Sequence, residues 1–323
     1  MCTAITYKTK QHYFGRNLDL EYSYRESVTI TPRNYPFSFR MMGEMKSHYA
    51  MIGMAMVEKE YPLNYDATNE KGLSMAGLLF VGNAVYQNAA EGKENISPFE
   101  FIPWILGQCA DLEEVRMRLA KINLTAIDFS PEYPLSQLHW MISDREGSIV
   151  VEAVKEGLRV YENPVEVLTN NPPFEIQMFE LNKYMGLSAE QAENHFSEEL
   201  RLENYSRGMG GLGLPGDWTS SSRFVRAAFV RMNAKSGETE EESVSQFFHI
   251  LGSVEHPRGC VHMGNGKYEI TVYSSCCNTD EGIYYYKTYD HPGIVGIDMK
   301  AENLDGCMLI SYPMEKNGSL SIC

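Results

Sequence analysis

The amino-acid sequence predicts an α+β fold built on antiparallel sheets. Blocks of strand-like sequence alternate with blocks of helical periodicity, in the order strands, helices, strands, helices, strands. Separate runs of strands and helices favour antiparallel sheets over a βαβ array. The 323 residues contain no internal repeat and no linker rich in proline, glycine or serine. We therefore expect a single domain over residues 1–323.

The first 85 residues indicate strands joined by turns. Tyr13–Leu20 and Ser27–Thr31 are short runs rich in β-prone residues. Ala50–Val57 and Leu73–Val81 are longer and more apolar, which is typical of strands covered on both faces.

Two helices are predicted next. Ser97 and Glu100 have the spacing of a capping box, and Pro98 occupies the first helical position, so a helix should run from here to about Gln108. A second helix should begin after Asp111, where apolar residues alternate with charged ones at helical spacing.

The remainder of the chain repeats this order. Period-two alternation from Leu138 to Thr169 predicts an antiparallel meander. Helical spacing then covers Phe174–Leu187, Ser221–Ala234 and Glu240–Leu251. The closing strands are predicted at Lys267–Tyr273, Gly282–Tyr289, Gly293–Met299 and Met308–Tyr312.

Charge and composition favour a small-molecule partner. The 28 Lys and Arg against 43 Asp and Glu give a net charge of −15, which disfavours nucleic acid or an anionic membrane as the main partner. No apolar run reaches the roughly 18 residues of a spanning helix. The N-terminal segment lacks the basic and apolar regions of an export signal, so we expect a cytoplasmic protein.

Cysteine and histidine spacing predicts neither disulfides nor a metal site. The seven cysteines, from Cys2 to Cys323, contain no C-x-x-C pair. The eight histidines contain no H-x-x-x-H or H-E-x-x-H spacing. This composition is typical of a reducing compartment.

Cys2 is the strongest candidate for a catalytic residue. It becomes N-terminal if Met1 is removed, and it then carries both a thiol and a free α-amine. Because an unperturbed α-amine has a pKa of about 7.7, it can act as the general base for its own thiol near neutral pH.

Four polar residues elsewhere in the chain suit such a nucleophile. Arg16 and Asp19 lie near the end of the strand that should pair with the Cys2 strand. Arg16 can favour the thiolate, and Asp19 can accept a hydrogen bond from the α-ammonium. Asn170 follows a strand and suits an oxyanion hole, while Arg223 lies at a helix start.

The order of these motifs resembles the choloylglycine hydrolase family, which contains the bile salt hydrolases and the penicillin V acylases. The motifs are Met-Cys-Thr, Phe-Gly-Arg-Asn-x-Asp, Leu-Thr-Asn-x-Pro and Ser-Arg-Phe, and the likeness extends over essentially the whole chain. Thr31–Tyr35, Asn69–Leu73 and Leu212–Asp217 fit the bile salt hydrolase branch. The resemblance implies an αββα sandwich of the N-terminal-nucleophile type, a homotetramer and no metal or organic cofactor.

The resemblance also implies residue roles. Cys2 matches the nucleophile, Arg16 and Asp19 its partners, Asn170 the amide of the oxyanion hole, and Arg223 the cation near the nucleophile.

One position departs from the family pattern. Where bile salt hydrolases commonly carry Asn and penicillin V acylases Tyr, this chain has Leu79. The family uses the backbone N–H at this position in the oxyanion hole, and leucine retains that group. The resemblance further implies apolar pocket walls that include Leu18, Leu20, Val57, Phe129, Tyr133 and Leu138.

The expected reaction is hydrolysis of the amide bond of glycine- or taurine-conjugated bile salts through a thioester on Cys2. Penicillin V acylase, or a related N-acyl amide hydrolase, remains the alternative, because it shares the chemistry and differs in the acyl pocket. A non-catalytic bile-acid-binding protein is the third hypothesis, and the intact Cys2, Asp19, Asn170 and Arg223 argue against it.

Overall fold

Two large antiparallel sheets form the middle of the molecule. They are seen in a computed structural model that describes residues 1–318, so Cys323 lies outside the described residues. One sheet has six strands, and the other has eight.

Most of the predicted strands are present, but the strand Tyr61–Asn69 was not predicted, and the strand expected over Lys267–Tyr273 lies mainly at Ile270–Asn278. Residues 1–318 contain twenty strands. They are β1 (Cys2–Lys8), β2 (His12–Leu20), β3 (Ser27–Thr31), β4 (Phe37–Phe39), β5 (Gly43–Met45), β6 (Met51–Glu58), β7 (Tyr61–Asn69), β8 (Ser74–Leu79), β9 (Glu94–Ile96), β10 (Ile122–Leu124), β11 (Leu138–Asp144), β12 (Gly147–Val154), β13 (Gly157–Glu162), β14 (Val167–Leu168), β15 (His262–Gly264), β16 (Lys267–Tyr268), β17 (Ile270–Asn278), β18 (Ile283–Thr288), β19 (Val295–Asp298) and β20 (Ile310–Pro313).

The strand order is β14-β1-β2-β17-β18-β19 in the six-stranded sheet and β13-β12-β11-β8-β7-β6-β3-β20 in the eight-stranded sheet.

Helices cover the outer face of each sheet. They are α1 (Phe101–Leu106), α2 (Leu112–Leu119), α3 (Phe174–Glu180), α4 (Ser220–Asn233) and α5 (Glu240–Gly252). Helices α4 and α5 pack on β1 and β17, whereas α1 and α2 pack on the eight-stranded sheet. Because β1 and β2 contact β8 across the centre, the layers run helix, sheet, sheet, helix. The predicted α+β class and αββα sandwich are confirmed.

Local sequence explains where the helices begin. The Asp111 side chain accepts a hydrogen bond from the Glu114 N–H at 2.9 Å and caps α2. Thr239 and Glu242 form a reciprocal capping box at α5. The helix expected over Phe174–Leu187 is shorter than predicted, since α3 ends at Glu180 and continues as a 3₁₀ turn.

Strand register brings the candidate residues together. β1 lies between β14 and β2, with Cys2 opposite Leu18 and Ala4 opposite Leu168. The start of β1 therefore meets the end of β2, which carries Asp19, and the end of β14, which leads into Asn170.

Among residues 1–318, no helix is long and apolar enough to cross a membrane.

Candidate active site

Cys2 begins β1 and lies at the wall of a cavity. The residue is 2% exposed and is one of those that line the cavity. Its backbone N–H donates to Asn170 Oδ1 at 2.8 Å. In this chain Met1 precedes it, so the Cys2 nitrogen is a peptide nitrogen without a basic lone pair. Only removal of Met1 converts that nitrogen into an amine that can move a proton.

Met1 extends β1 by one residue. Its carbonyl accepts from the Asp19 N–H at 2.9 Å, and its α-ammonium donates to the Asp19 carbonyl at 2.6 Å. The α-ammonium also forms an ion pair with the Glu269 carboxylate. These contacts arise because β-pairing aligns Met1 with the Asp19 backbone. The expected hydrogen bond from the Cys2 α-ammonium to the Asp19 carboxylate concerns the chain without Met1, so it stays a prediction.

The Asn170 side chain joins three parts of the site. Its Oδ1 accepts from Cys2 N–H and from Arg223 Nη2, both at 2.8 Å. Because both partners can only donate, they fix the orientation of the amide. Nδ2 consequently donates to the Leu79 carbonyl at 2.8 Å, and its second hydrogen remains for another acceptor.

The Asn170 backbone is fixed as well. Its N–H donates to Ser220 Oγ at 2.7 Å, and Gln177 Nε2 donates to its carbonyl at 2.5 Å. Both supporting residues are buried or nearly so. This second layer holds the amide in one position, as an oxyanion hole requires.

Leu79 presents its peptide groups toward Asn170. Leu79 lies opposite Leu138, and the neighbouring Phe80 N–H donates to the Gln137 carbonyl at 2.8 Å. In an antiparallel pair, alternate residues direct their N–H and C=O to opposite sides. The Leu79 groups therefore point away from β11. On that side, the pairing of β7 with β8 ends at Ala76. The Leu79 N–H is therefore not used in a hydrogen bond to β7.

Arg16 lies where β7 and β8 separate. Its Nη1 donates to the carbonyls of Tyr65 at 2.9 Å and Gly77 at 2.6 Å. The side chain is fully buried and lines the same cavity as Cys2. Among the described residues its Nη2 has no hydrogen-bond partner. Nε also donates to the Asn17 carbonyl at 3.5 Å, so the guanidinium is held through Nη1 and Nε while Nη2 is available to an anion.

Asp66 supplies a counter-charge for Arg16. Its carboxylate accepts from Tyr273 Oη at 2.6 Å and Tyr284 Oη at 2.7 Å, and it is buried. Burial opposes the charge on Arg16, yet Cys2, Tyr273, Asp66 and other neighbours raise the pKa of the guanidinium. Burial raises the pKa of Asp66, with Arg16 acting against that shift. Sequence reasoning missed this group, although an aspartate in a largely buried strand was an available signal.

Arg223 in the first turn of α4 holds the start of β1. Its Nη1 donates to the Cys2 carbonyl and to Thr3 Oγ1, both at 2.6 Å. Nη1 is 4.0 Å from Asp19 Oδ2, and both side chains are fully buried. Burial lowers the pKa of Arg223 and raises that of Asp19, while their mutual attraction opposes both shifts.

The cavity next to Cys2 has a volume of about 480 Å³. Five of the six expected wall residues line it, namely Leu18, Leu20, Phe129, Tyr133 and Leu138. Val57 is the exception and must be corrected, since it is 37% exposed and does not line the cavity. Successive side chains of a strand point to opposite faces, and the preceding residue, Met56, occupies the wall instead.

The cavity also has polar wall residues that the sequence alone did not indicate. They are Glu21, Tyr24, Asn64, Glu132 and Ser136. They come from separate loops and strands, so no local motif links them.

One cluster beside Cys2 combines possible metal ligands. Among the described residues, donor atoms of Asp19, His256 and Glu269 lie within 4.8 Å of one another, and all three residues are buried. Histidine spacing did not reveal this group, because the three residues come from three different segments. No family resemblance or spacing rule indicated His256 or Glu269.

Comparison with known proteins gives a consistent result. The family model for linear amide C–N hydrolases, choloylglycine hydrolase family, matches residues 2–312. A protein of Lactiplantibacillus plantarum named bile salt hydrolase/transferase is 56% identical over 314 residues, which cover 97% of each chain.

Solved structures agree with the sequence comparison. A mutant of the conjugated bile acid hydrolase from Clostridium perfringens superposes with a TM-score of 0.92 at 40% identity, covering 100% of this chain and 99% of the other. Penicillin V acylase from Agrobacterium tumefaciens gives a TM-score of 0.73 at 20% identity, covering 99% of this chain and 100% of the other. The second likeness concerns the fold alone.

Proposed function

The chain belongs to the choloylglycine hydrolase family of linear amide C–N hydrolases, and we propose that it hydrolyses glycine- or taurine-conjugated bile salts. The observation that carries this proposal is the position of Cys2 at the wall of a mostly apolar cavity of about 480 Å³, beside Arg16. A steroid acyl group needs such an apolar cavity, and its amide carbonyl must reach the thiol. The names of the similar proteins point to the same substrate class.

In the proposed first step, the Cys2 thiolate attacks the amide carbonyl carbon. The carbonyl π electrons move to oxygen, where Asn170 Nδ2 and the Leu79 N–H donate to the oxyanion. Arg16, whose Nη2 has no hydrogen-bond partner among residues 1–318, favours the thiolate before attack. In the chain without Met1, the α-amine of Cys2 has taken the thiol proton; the resulting α-ammonium delivers this proton to the departing nitrogen, and the C–N bond breaks.

The second step is hydrolysis of the thioester. The α-amine takes a proton from water, the resulting hydroxide adds to the thioester carbonyl, and the C–S bond breaks. This releases the free bile acid and restores the thiolate with the protonated amine. Arg223 holds the start of β1 throughout, because it donates to the Cys2 carbonyl, and the Asp19 carboxylate accepts a hydrogen bond from the α-ammonium.

Acyl transfer is a second candidate function. The Lactiplantibacillus plantarum relative carries the name bile salt hydrolase/transferase. In the same active site, an amine that replaces water in the second step would yield a new amide and the same free thiolate. Competition between water and an added amino acid, measured by product ratio, tests this activity.

Penicillin V acylase and a silent bile-acid binder remain as outcomes of the main test. Taurocholate, glycocholate and penicillin V are incubated in parallel with the enzyme and with its Cys2→Ala variant. The proposal predicts release of taurine or glycine by the enzyme alone. Turnover of penicillin V without either bile salt would reassign the substrate, and binding without turnover would indicate the silent protein.

We also propose a cytoplasmic homotetramer. Large apolar side chains are exposed on the segment from α3 to the loop before α4, where Phe179 is 70%, Met185 84%, Phe196 80% and Tyr205 82% exposed. Exposed apolar residues grouped in this way favour self-association. Light scattering during size-exclusion chromatography should give four times the chain mass of 36.7 kDa; a monomer would contradict the proposal.

A further inference from the structure

His256 lies beside the proposed catalytic residues and has no role in the steps above. It follows α5, and its side chain is completely buried. Its Nε2 is 3.8 Å from Asp19 Oδ2, and its Nδ1 is 3.8 Å from Glu269 Oε1. Within the described residues neither ring nitrogen has a hydrogen-bond partner, and Asp19 Oδ2 also lacks one. Buried polar atoms without a hydrogen-bond partner require an explanation, because nothing offsets the free energy lost when water is removed from them.

A metal ion does not explain this arrangement well. An imidazole binds a metal in its ring plane through one nitrogen, at about 2.0–2.1 Å. Here the two carboxylates face different ring nitrogens, so one ion cannot lie between all three ligands in good geometry. Arg223 Nη1 is also 4.0 Å from Asp19 Oδ2, which places a cation close to the same oxygen.

Hydrogen bonds already tie His256 to Asp19 through Thr271. The His256 N–H donates to Thr271 Oγ1 at 2.8 Å, and the Thr271 N–H donates to the His256 carbonyl at 3.1 Å. Thr271 Oγ1 in turn donates to Asp19 Oδ1 at 2.6 Å. Thr271 thus fixes Asp19 Oδ1, and the imidazole lies next to Asp19 Oδ2.

Burial, together with nearby cations, favours the neutral form of the His256 imidazole. Burial is the main cause that lowers the pKa of His256 to about 3, and Arg223, Arg226 and the N-terminal amine act in the same direction. Glu269 opposes them, and the Asp19 carboxylate also faces the ring. A neutral imidazole carries one N–H and one lone pair, so it can donate to only one of the two carboxylates.

Asp19 is the better acceptor for that single N–H. Asp19 is fully buried, whereas Glu269 lies against Met1, whose side chain is 30% exposed. Loss of Met1 opens the position next to Glu269 to solvent, which can then hydrate its carboxylate. Asp19 Oδ2, in a fully buried side chain, does not gain the same contact with solvent. Closing the 3.8 Å gap to a hydrogen bond requires a movement of about 0.8 Å.

We propose that His256 is a positioning residue of the enzyme without Met1, in which its Nε2–H donates to Asp19 Oδ2 and holds that carboxylate ionised toward the α-amine of Cys2. The proposal rests on the proposed amide hydrolysis. In this arrangement both carboxylate oxygens of Asp19 accept a hydrogen bond, Oδ1 from Thr271 and Oδ2 from the His256 imidazole.

The pH profile of hydrolysis tests the proposal. A donor to an ionised carboxylate lowers that group's pKa, so its loss raises the pKa of Asp19. His256→Leu should therefore move the acid limb of the kcat/KM profile for glycocholate upward by about one pH unit and lower kcat about tenfold, with KM nearly unchanged. His256→Gln retains an N–H donor. It should leave the acid limb near its wild-type position and keep kcat within about threefold of the wild type.

A buried histidine remote from the site provides the matched control. His12 is hydrogen-bonded to Thr279 and lies six residues before Leu18 on β2, about 20 Å along the strand from the position opposite Cys2. His12→Leu should alter thermal stability and leave the profile unchanged. An unshifted profile for His256→Leu, or equal losses in His256→Leu and His256→Gln, would overturn the proposal.

A second measurement depends neither on folding of the leucine variant nor on the substrate. Long-range ¹⁵N–¹H correlation spectra of the processed enzyme at pH 6 report the tautomer of each imidazole, and the signals missing from His256→Gln identify this residue. We expect a neutral ring with the proton on Nε2. An imidazolium ion, or a proton on Nδ1, would overturn the proposal, whereas absence of bile salt hydrolysis would refute only the proposed function.

Discussion

The Asn170 side chain combines a catalytic and a structural function, and two substitutions separate them. Nδ2 is the proposed oxyanion donor, whereas Oδ1 accepts from Cys2 N–H and Arg223 Nη2 at 2.8 Å each. Asn170→Ala removes both ends of the amide. Asn170→Asp keeps an acceptor for Cys2 and Arg223 but removes the donor, at nearly constant volume.

The magnitudes follow from these contacts. Loss of an oxyanion donor costs about 10²–10³ in kcat, so both variants should fall by at least this factor. Each buried donor left without an acceptor costs about 1–3 kcal/mol. Because Asn170 lies beside the cavity and water can partly replace it, we expect Asn170→Ala to lose about 2 kcal/mol of unfolding free energy. Asn170→Asp should lose less, since Arg223 keeps its partner.

The assay combines steady-state hydrolysis of glycocholate with urea unfolding of both variants. The reasoning predicts that kcat falls in both proteins while stability falls mainly in the alanine variant. If Asn170→Asp retained more than a tenth of the wild-type kcat, Nδ2 would not be an oxyanion donor. If Asn170→Ala were as stable as the wild type, the contacts of Oδ1 would contribute nothing to the fold.

Three further predictions concern the nucleophile and its neighbours. Cys2→Ala should abolish hydrolysis and leave the thermal midpoint within a few degrees, because it removes the thiol from an otherwise unchanged strand; more than a few per cent of wild-type glycocholate turnover would be inconsistent with a Cys2 nucleophile. Protein that retains Met1 should be inactive, since its Cys2 nitrogen is a peptide nitrogen; intact mass and activity measured on the same sample decide this. Leu79→Asn should keep kcat within about tenfold and change KM and the ratio of bile salt to penicillin V turnover, because the N–H is retained and the side chain lines the cavity. A loss of kcat equal to that of Asn170→Ala, with unchanged preference, would contradict this division between backbone and side chain.

The fold could be predicted well because its signals are local. Capping residues such as Asp111 and Thr239 marked helix starts, and alternation of apolar residues marked the strands. The length of α3 was predicted less well, since a tightening of the chain into a 3₁₀ turn after Glu180 has no clear sequence signal.

The candidate site was predicted only where motifs mark it. The motifs indicated Cys2, Arg16 and Asn170, and β-pairing places all three near the start of β1. His256 and Glu269 reach the same place from distant segments, and only the tertiary structure reveals their proximity to Asp19.

The error at Val57 has a simple physical origin. Met56 and Val57 are adjacent in β6, so a shift of one residue exchanges the cavity face for the solvent face. This strand is apolar over most of its length. The sequence therefore does not show which of its side chains face the cavity, and only the strand pairing determines this.

The covalent intermediate tests the central claim most directly. The enzyme is mixed with glycocholate, quenched in acid within milliseconds to seconds, digested and analysed by mass spectrometry. We predict that the N-terminal peptide begins at Cys2, lacks Met1 and carries one cholyl group as a thioester that free hydroxylamine removes. A cholyl group on another residue, or full hydrolytic activity in protein whose N-terminal peptide still begins with Met1, would contradict the account.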